Sequence, residues 1–490
     1  MAIKKKRIHL IGIGGAGMTA LANLLLEKGY SVSGSDKNDF AVRKILEKKG
    51  VKIYIGHKAD NIKKVEIVVY SSAIPSSNIE FKTAQKIKVP LFNRFDFLLH
   101  VLAKKKIISI AGTHGKSTTT AMLAHILKKA KLKPTVYLGA KNKMYPFGSK
   151  WESGKYAVIE TDEHDKSFLK TPSFLSIITN VDNDHLNVNG PYQGKFSLLK
   201  KAFKNFCRNN QTESIVFNND DPFLRNVAKE SAQNKVFTFG IDNKADFFVK
   251  NIDYKGIKTS SDLFLNNKFQ GKLELSLPEK ENIYNALGAL SASKILKIPL
   301  KDSLRYLKTF GGIKRRFFIL YNNLSLRSRT FQLKCNHFNY DKKIAVVDDY
   351  AHHPTQIKAC LRMARSVFPK KRVILILEPH RYSRISILYK DYAPAIKNCD
   401  ILFLLPIDSA GEKPIRGVSS KKIYKEIIKT KSLNKNKVHF IEDMKSEESF
   451  LKDFLKFTKN NDVFLFTGPG KIANLSKKFI HLFRKYEKKS

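Results

Sequence analysis

The chain is 490 residues long and carries 90 Lys and Arg against 43 Asp and Glu, a formal net charge of +47. That length exceeds one compact core and implies roughly two to four domains, and 42% hydrophobic residues is ordinary for soluble globular protein. The charge raises nucleic-acid or membrane binding, but Lys far outnumbers Arg, and Asn, Ile and Phe, which share A/T-rich codons with Lys, are also abundant. The Lys residues run along the whole chain without a block interleaved with aromatics, so the charge reads as compositional bias, with no specific nucleic-acid partner. Cys207, Cys335, Cys360 and Cys399 have no metal-type spacing and read as reduced thiols of a cytoplasmic protein.

At the N-terminus, Lys4-Lys5-Lys6-Arg7 precedes an uncharged run over 8–26 that mimics a membrane anchor. Gly12, Gly14, Gly15 and Gly17 interrupt it, each costing a helix about 1 kcal/mol against Ala. The run therefore reads as a strand over 7–13, a glycine turn, and a helix over 19–28 ended by Gly29. No other stretch reaches membrane-spanning length, so the protein is not membrane-embedded. The next strand, 30–34, closes on Ser35-Asp36. Gly12, Gly14 and Gly17 satisfy G-x-G-x-x-G, and Asp36 lies where dinucleotide folds place a ribose-binding acid, so an NAD-dependent dehydrogenase is one reading. A strand over 65–70 ends in Ser71-Ser72-Ala73-Ile74-Pro75, and hydroxyls at the carboxyl edge of a parallel sheet are placed for a ligand.

The run 107–111 is an apolar strand, followed by Gly112-Thr113-His114-Gly115-Lys116-Ser117-Thr118 and a helix to about residue 130. Backbone N–H groups at a helix N-terminus favour a bound anion. Lys116 adds a cation for β/γ-phosphates, and the Ser117 hydroxyl is a ligand for Mg²⁺. The loop is shorter than the general phosphate-loop pattern, with Ile110 where that pattern has its first Gly. A strand over 156–159 then delivers Glu160, Asp162, Glu163 and Asp165, whose mutual repulsion a divalent cation or a basic neighbour relieves. The strand over 176–178 ends in polar ligands again, through Asp182, Asp184 and His185. Short β-type runs fill 211–280. A helix then opens at Glu281 with Asn282 and Asn285 on one side, and Arg315-Arg316 closes the region as phosphate clamps.

Four further strands, 344–347, 372–377, 401–405 and 462–466, alternate with helices and indicate a second parallel α/β domain. The first ends in Asp348-Asp349-Tyr350-Ala351-His352-His353-Pro354 and the second in Glu378-Pro379-His380-Arg381-Tyr382-Ser383-Arg384. The third and fourth end in Ala410-Gly411-Glu412-Lys413 and Thr467-Gly468-Pro469-Gly470-Lys471. Residues 321–343 match no pattern.

The short loop Gly112–Thr119 resembles the ATP loop of the Mur ligases, ATP-dependent amide-bond-forming enzymes that assemble the peptidoglycan stem peptide. The glycine turn, Gly34-Ser35-Asp36, Ser71–Ile74, Asn93-Arg94 and all four strand ends of the last region resemble the same family, in the same order along nearly the whole chain. The resemblance implies an α/β protein of three domains. These are a UDP-sugar-binding Rossmann-like domain over 1–106, a central phosphate-loop ATP-binding domain over 107–313, and a C-terminal Rossmann-like domain over 314–490 that meets the amino acid. It implies ATP held by Gly112, Thr113, His114, Gly115, Lys116, Ser117, Thr118, Asn282, Asn285 and Arg315, with Glu281 standing where the family has His. Mg²⁺ is implied at Ser117, Glu160 and His185. The substrate UDP-N-acetylmuramate falls to Gly14, Gly15, Gly17, Met18, Ser35, Asp36, Ser71 and Ser72, with His380 and Arg384 also on substrate. Lys116, His185, Asp349, His352 and Arg381 take catalytic roles. The implied reaction joins L-alanine to the sugar carboxylate, with attachment of a preformed tripeptide as the alternative within the family. A basic ATPase acting on nucleic acid is the reading from another class.

Overall fold

The computed structural model describes residues 6–40, 42–139, 144–163, 166–183, 191–208, 212–231, 235–255, 257–312, 317–322, 324, 343–444 and 446–487. His164, Asp165, Asp184, His185, Arg315, Arg316, Cys335 and most of 321–343 lie outside them. Cys207, Cys360 and Cys399 are buried thiols whose pKa values burial raises.

Among the described residues the strands form three sheets. The first is built from β1 (Arg7–Ile11), β2 (Ser31–Asp36), β3 (Lys52–Ile55), β4 (Ile67–Tyr70) and β5 (Leu91–Asn93), all parallel, in the order β3-β2-β1-β4-β5. The uncharged N-terminal run is β1, the glycine turn and a helix, Ala16–Lys28. Gly29 ends that helix at φ 99° and returns its N–H to the last-turn carbonyls. No described helix is long and apolar enough to cross a membrane.

The second sheet holds ten strands: β6 (Lys106–Ala111), β7 (Thr135–Tyr137), β8 (Ser149–Lys150), β9 (Tyr156–Glu160), β10 (Leu175–Ile178), β11 (Ser214–Asn218), β12 (Lys235–Gly240), β13 (Phe247–Lys255), β14 (Lys258–Leu265) and β15 (Lys268–Leu275). β6 runs parallel between β10 and β9, and β9 is followed outward by β7 and the antiparallel edge strand β8. The third sheet holds β16 (Phe318–Asn322), β17 (Ile344–Asp349), β18 (Arg372–Leu377), β19 (Ile401–Leu404), β20 (Val438–Phe440) and β21 (Asp462–Thr467). Its order is β16-β17-β21-β18-β19-β20. It departs from the expected all-parallel sheet at one edge, where β16 runs antiparallel to β17 with a bulge between Ile319 and Tyr321. β16 carries no alternation that marks a half-exposed strand: three of its five residues are half-buried in succession.

The chain divides into two compact units. One holds residues 1–253, 260–276 and 280–311, and the other 254–259, 277–279 and 312–490. In the first unit the first two sheets share one apolar core: Ile8, Leu10, Leu21, Leu24 and Leu98 pack in the same cluster as Ile107, Tyr137, Phe147, Ala157 and Ile159.

One buried carboxylate ties the first sheet together. Glu80 is fully buried at the start of the helix Ile79–Lys86, whose first amides the Asn78 side chain accepts. Its carboxylate accepts from Ser35 Oγ at 2.5 Å, Asn61 Nδ2 at 2.6 Å and Lys58 N at 3.3 Å. His57 Nδ1 lies at 3.0 Å and His9 Nε2, beyond hydrogen-bond reach, at 3.8 Å. Burial pushes the acid up, but its polar neighbours His9, Ser35 and Asn61 outweigh this and hold it down at about 2. A depression from 4.5 to about 2 is worth about 3 kcal/mol at roughly 1.4 kcal/mol per pH unit. Because the folded value lies below the unfolded one, this stability is complete above pH 4.5 and is lost as pH falls toward 2. Thermal unfolding of Glu80→Gln is expected to show a clear loss of stability at neutral pH, and a shallower loss than the unsubstituted chain through that acid window.

Candidate active site

The phosphate loop hangs from the carboxyl end of β6, and the ends of its neighbours β10 and β9 brace it. Gly112 and Gly115 take φ values of 125° and 82°, which L side chains rarely adopt. A Cβ at Gly112 would collide with Thr179 Oγ1, and one at Gly115 with Asn285 Oδ1. Thr179 Oγ1 donates to His114 O at 2.6 Å, and Asn180 Oδ1 accepts His114 N at 2.8 Å. Asp182 N donates to Thr113 Oγ1 at 2.9 Å, and His114 Nε2 lies 3.2 Å from Asp182 Oδ2. The Thr113 hydroxyl, expected on ATP, is thus turned onto the β10 end and 4% exposed. There the hydroxyl braces the loop.

Gly115 caps the helix Lys116–Lys129, whose first residues Lys116, Ser117 and Thr118 are all buried. Lys116 Nζ donates to Gly112 O at 2.6 Å and Glu163 Oε2 at 2.7 Å, with Asp162 Oδ1 at 4.0 Å. Burial opposes its charge, but the carboxylates of Glu163, Asp162 and Glu160 outweigh burial and raise its pKa above the ordinary lysine value. Glu163 is 1% exposed and was left without a role by the sequence reading. Its signal was the acid cluster after β9, of which only Glu160 was chosen. From the helix Lys280–Ile295, Asn285 accepts from Thr119 Oγ1 at 3.2 Å, and Asn282 lies half-buried one turn earlier.

Ser117 Oγ donates to Glu160 Oε2 at 2.8 Å, and Gly139 N donates to the same oxygen at 2.7 Å. A hydroxyl and a carboxylate are the hard oxygen donors that suit Mg²⁺, and Mg²⁺ at nucleotide sites takes one or two protein oxygens and fills the rest with phosphate and water. Among the described residues no three His, Cys, Asp or Glu side chains gather into a metal cage. The pair therefore fits a cation held jointly with a bound triphosphate.

In the first sheet the strand order reverses between β1 and β4, and the glycine turn and Ser71-Ser72 lie at that switch point. Gly12 N and Ile13 N donate to Ser35 O at 2.8 and 3.0 Å, and Gly14 N donates to Asp36 Oδ2 at 2.8 Å. Asp36 thus clamps the turn itself. Ser71 packs against Gly12, and Ser72 is exposed beside it. Two residues expected on substrate have inward side chains. Met18 is 1% exposed in the apolar core, and Ser35 is fully buried with its hydroxyl given to Glu80. Arg94, quoted with the family pattern but given no role, lies against Gly17, where a Cβ would collide with its Nη1. That nitrogen donates to Tyr137 OH at 2.7 Å, so a cation stands beside the glycine turn.

In the second unit the ends of β17 and β18 bring the expected residues together. Asp349, expected in a catalytic role, accepts Ala351 N at 2.6 Å with Oδ1 and Phe317 N at 2.5 Å with Oδ2, and so clamps the turn. His352 Nδ1 donates to Tyr350 O at 2.8 Å, and its ring lies 5.1 Å from that of His380. Arg384 Nη1 donates to His380 Nδ1 at 3.2 Å, and His380 Nε2 is 3.8 Å from Asp408 Oδ2. Arg381 is held at φ 69° with its Nε buried and unpaired, the kind of strain that functional sites retain. Glu378, beside it, accepts Gly470 N at 3.0 Å; burial and then the Asp408 charge push its pKa up.

The Lys116–Glu163 pair generates a test. Lys116→Met leaves Glu163 buried without its cation and is expected to cost about 3–5 kcal/mol in urea unfolding. The double variant Lys116→Met/Glu163→Gln is expected to regain most of that stability while neither variant turns over ATP.

Three family models match the chain: "Mur ligase family, catalytic domain" over residues 7–106, "Mur ligase middle domain" over 110–293 and "Mur ligase, glutamate ligase domain" over 332–470. The UDP-N-acetylmuramate–L-alanine ligase of Dictyoglomus turgidum is 36% identical over 484 residues, 99% of this chain and 98% of its own. That of Aquifex aeolicus is 35% identical over 476 residues, 97% of each chain. The crystal structure of the UDP-N-acetylmuramate-alanine ligase of Thermotoga maritima matches with a TM-score of 0.79 at 28% identity, covering 98% of this chain and 99% of that one. A murein peptide ligase of Psychrobacter arcticus has the same fold, with a TM-score of 0.70 at 22% identity over 98% of each chain. The chain belongs to the Mur ligase family of ATP-dependent amide-bond-forming enzymes.

Proposed function

We propose that this enzyme joins L-alanine to the carboxylate of UDP-N-acetylmuramate at the expense of ATP, through an acyl phosphate, in the first amino-acid addition to the peptidoglycan stem. Similarity over almost the full length to relatives named for that reaction supports the substrates. The observation that carries the chemistry is a buried lysine at a helix N-terminus, folded back on a glycine loop and ringed by three carboxylates. We assign 1–106 to the UDP-sugar, 107–313 to ATP and 314–490 to the amino acid. ATP and nucleotide sugars are cytoplasmic pools, which places the enzyme there.

A carboxylate and an ammonium do not condense at neutral pH, because hydroxide is a poor leaving group and the protonated amine is no nucleophile. Transfer of the terminal phosphoryl group of ATP to the sugar carboxylate replaces that leaving group with orthophosphate. Lys116 and the first amides of its helix offset the charge spread over the phosphoryl oxygens in the transition state. Ser117 and Glu160 would hold Mg²⁺, which supplies further positive charge at the phosphates when bound. Asn282 and Asn285 line the loop from the other side. The alanine amine must lose a proton before it attacks the acyl carbon, with orthophosphate leaving. In the third domain His352 has the suitable tautomer, since Nδ1–H is given to Tyr350 O and the ring's lone pair falls on Nε2. Arg381 and Arg384 offer cations for the amino-acid carboxylate.

The NAD reading is set aside by the phosphate loop, which it leaves without a role, and by Asp36, engaged on Gly14. Phosphate release should require ATP, UDP-N-acetylmuramate and L-alanine together. Release with a preformed tripeptide in place of alanine would move the assignment to the recycling ligase. No release with either acceptor would remove the ligase reading of this chain's substrates.

A further inference from the structure

Tyr137 has no place in the phosphate loop or the glycine turn, yet it touches the second and lies two residues from Gly139, whose N–H meets the Glu160 partner of Ser117. Its ring is 3% exposed in the core shared by the first two sheets. Its hydroxyl accepts from Arg94 Nη1 at 2.7 Å and donates to Gly17 O, in the first turn of the glycine-loop helix, at 2.9 Å. Both bonds cross from the second sheet to the first. From Tyr137 the chain runs through Leu138, 1% exposed with its N–H on Gly148 O at 2.6 Å, to Gly139. Gly139 N donates to Glu160 Oε2, the oxygen that also accepts from Ser117 Oγ. A Cβ at Gly139 would sit 2.9 Å from Glu160 Oε2, so backbone and carboxylate are in direct contact. Three consecutive residues, anchored at both ends, thus connect the glycine turn to the Ser117–Glu160 pair.

We propose that Tyr137 is a positioning residue that couples the two nucleotide sites, so that a nucleotide–cation complex on Ser117 and Glu160 changes the grip of the glycine turn and Arg94 on a diphosphate. The proposal rests on the functional reading above, with UDP on the first domain and ATP on the second. The physical cause is competition for one oxygen. Glu160 Oε2 already accepts two hydrogen bonds, and a divalent cation drawing on that oxygen weakens the Gly139 bond. Tyr137 and Leu138 are buried, so a shift at the exposed Gly139 is passed along them to the Tyr137 hydroxyl. In the other direction, an anion that draws Arg94 toward the turn alters the load on the same hydroxyl. Such coupling is reciprocal by necessity. Other contacts also join the two domains. Asn23 Nδ2 donates to Ser149 Oγ at 3.1 Å, Ser149 Oγ to Ala20 O at 2.7 Å, and Lys28 and Lys105 each lie 4.6 Å from the Trp151 ring.

The test is calorimetric titration of UDP into the full chain and into Tyr137→Phe, each with and without Mg²⁺ and a non-hydrolysable ATP analogue. Tyr137→Phe keeps the buried ring and removes only the hydroxyl. In the unsubstituted chain the analogue is expected to change UDP affinity about fivefold or more. In Tyr137→Phe that ratio is expected to fall to near one, with affinity for the analogue alone unchanged. The same ratio in both proteins, or a ratio of one in the unsubstituted chain, overturns the coupling and leaves the functional reading intact. Absence of UDP binding by the unsubstituted chain overturns that reading and the coupling with it. If Tyr137→Phe does not fold, Gly139→Ala presses on Glu160 from the other end. An unchanged ratio in that variant also overturns the proposal.

Discussion

Everything in the phosphate loop follows from a cation that has been taken out of water. Lys116 lies behind the loop with its ammonium on a carbonyl of the loop and on the buried carboxylate of Glu163. A buried ion pair of this kind adds little net stability, because desolvation of both partners consumes most of the attraction. What it does is fix position. The carboxylates of Glu163, Asp162 and Glu160 favour the charged ammonium, and Glu163 and Gly112 O hold it in place. The glycines then follow as consequences. Once Asn285 and Thr179 press on the loop from either side, no side chain can occupy Gly115 or Gly112. The result is a cradle already shaped for the charge it must oppose, which is the condition under which electrostatic stabilisation of a transition state needs no reorganisation.

The same economy of placement repeats in each sheet. The glycine turn follows β1, the phosphate loop follows β6, and the His352 and Arg381 clusters follow β17 and β18. Parallel strands put all these carboxyl ends on one edge, and neighbours in the sheet supply the braces: Asp36 for Gly14, Asn180 for His114, Glu378 for Gly470. The first two sheets go further and share one apolar core. Their two loops are therefore set relative to each other by packing, not by a linker.

Much of this was legible in the chain. Strand ends were marked by apolar runs that stop at Gly, Asp or His, and β18 was bounded to the residue, at Arg372–Leu377. What escaped reading has a common cause. In strands buried on both faces, period-two alternation vanishes, so the sequence does not say which way a polar residue at the strand end points. Ser35 and Thr113 were expected on ligands, and their hydroxyls bond Glu80 and Asp182 N; Met18, on the first helical turn, joined the core. Asp349 shows the converse limit: an acid closely followed by two histidines looks catalytic, and only the amides of Ala351 and Phe317 reveal a turn clamp. Glu163, Arg94 and Tyr137 take their meaning from partners 29 to 120 residues away, and no local pattern encodes such pairings. The antiparallel strand β16 is hidden for the same reason, since its register is set by β17 across the sheet.

The excess of positive charge separates what composition can change from what it cannot. Lysines coat the exposed faces of helices, where a charge is solvated by water and exchangeable at little energetic consequence. Carboxylates in the interior are under the opposite constraint. Glu80, Glu163, Asp349, Glu378 and Asp462 are all less than a tenth exposed. Each has named donors: Asn61, Lys116, Ala351, Gly470 and Arg372 respectively. Replacing any of them by lysine would bury a second cation or strand backbone amides without an acceptor, at a cost of several kcal/mol each. In a chain where basic residues outnumber acidic ones by 90 to 43, acids that hold the loops are thus retained by geometry while the surface drifts. The strongly basic composition and the chemistry of the site are independent facts about this protein. Few cations are held in place by buried carboxylates or strained backbone, Lys116 and Arg381 foremost.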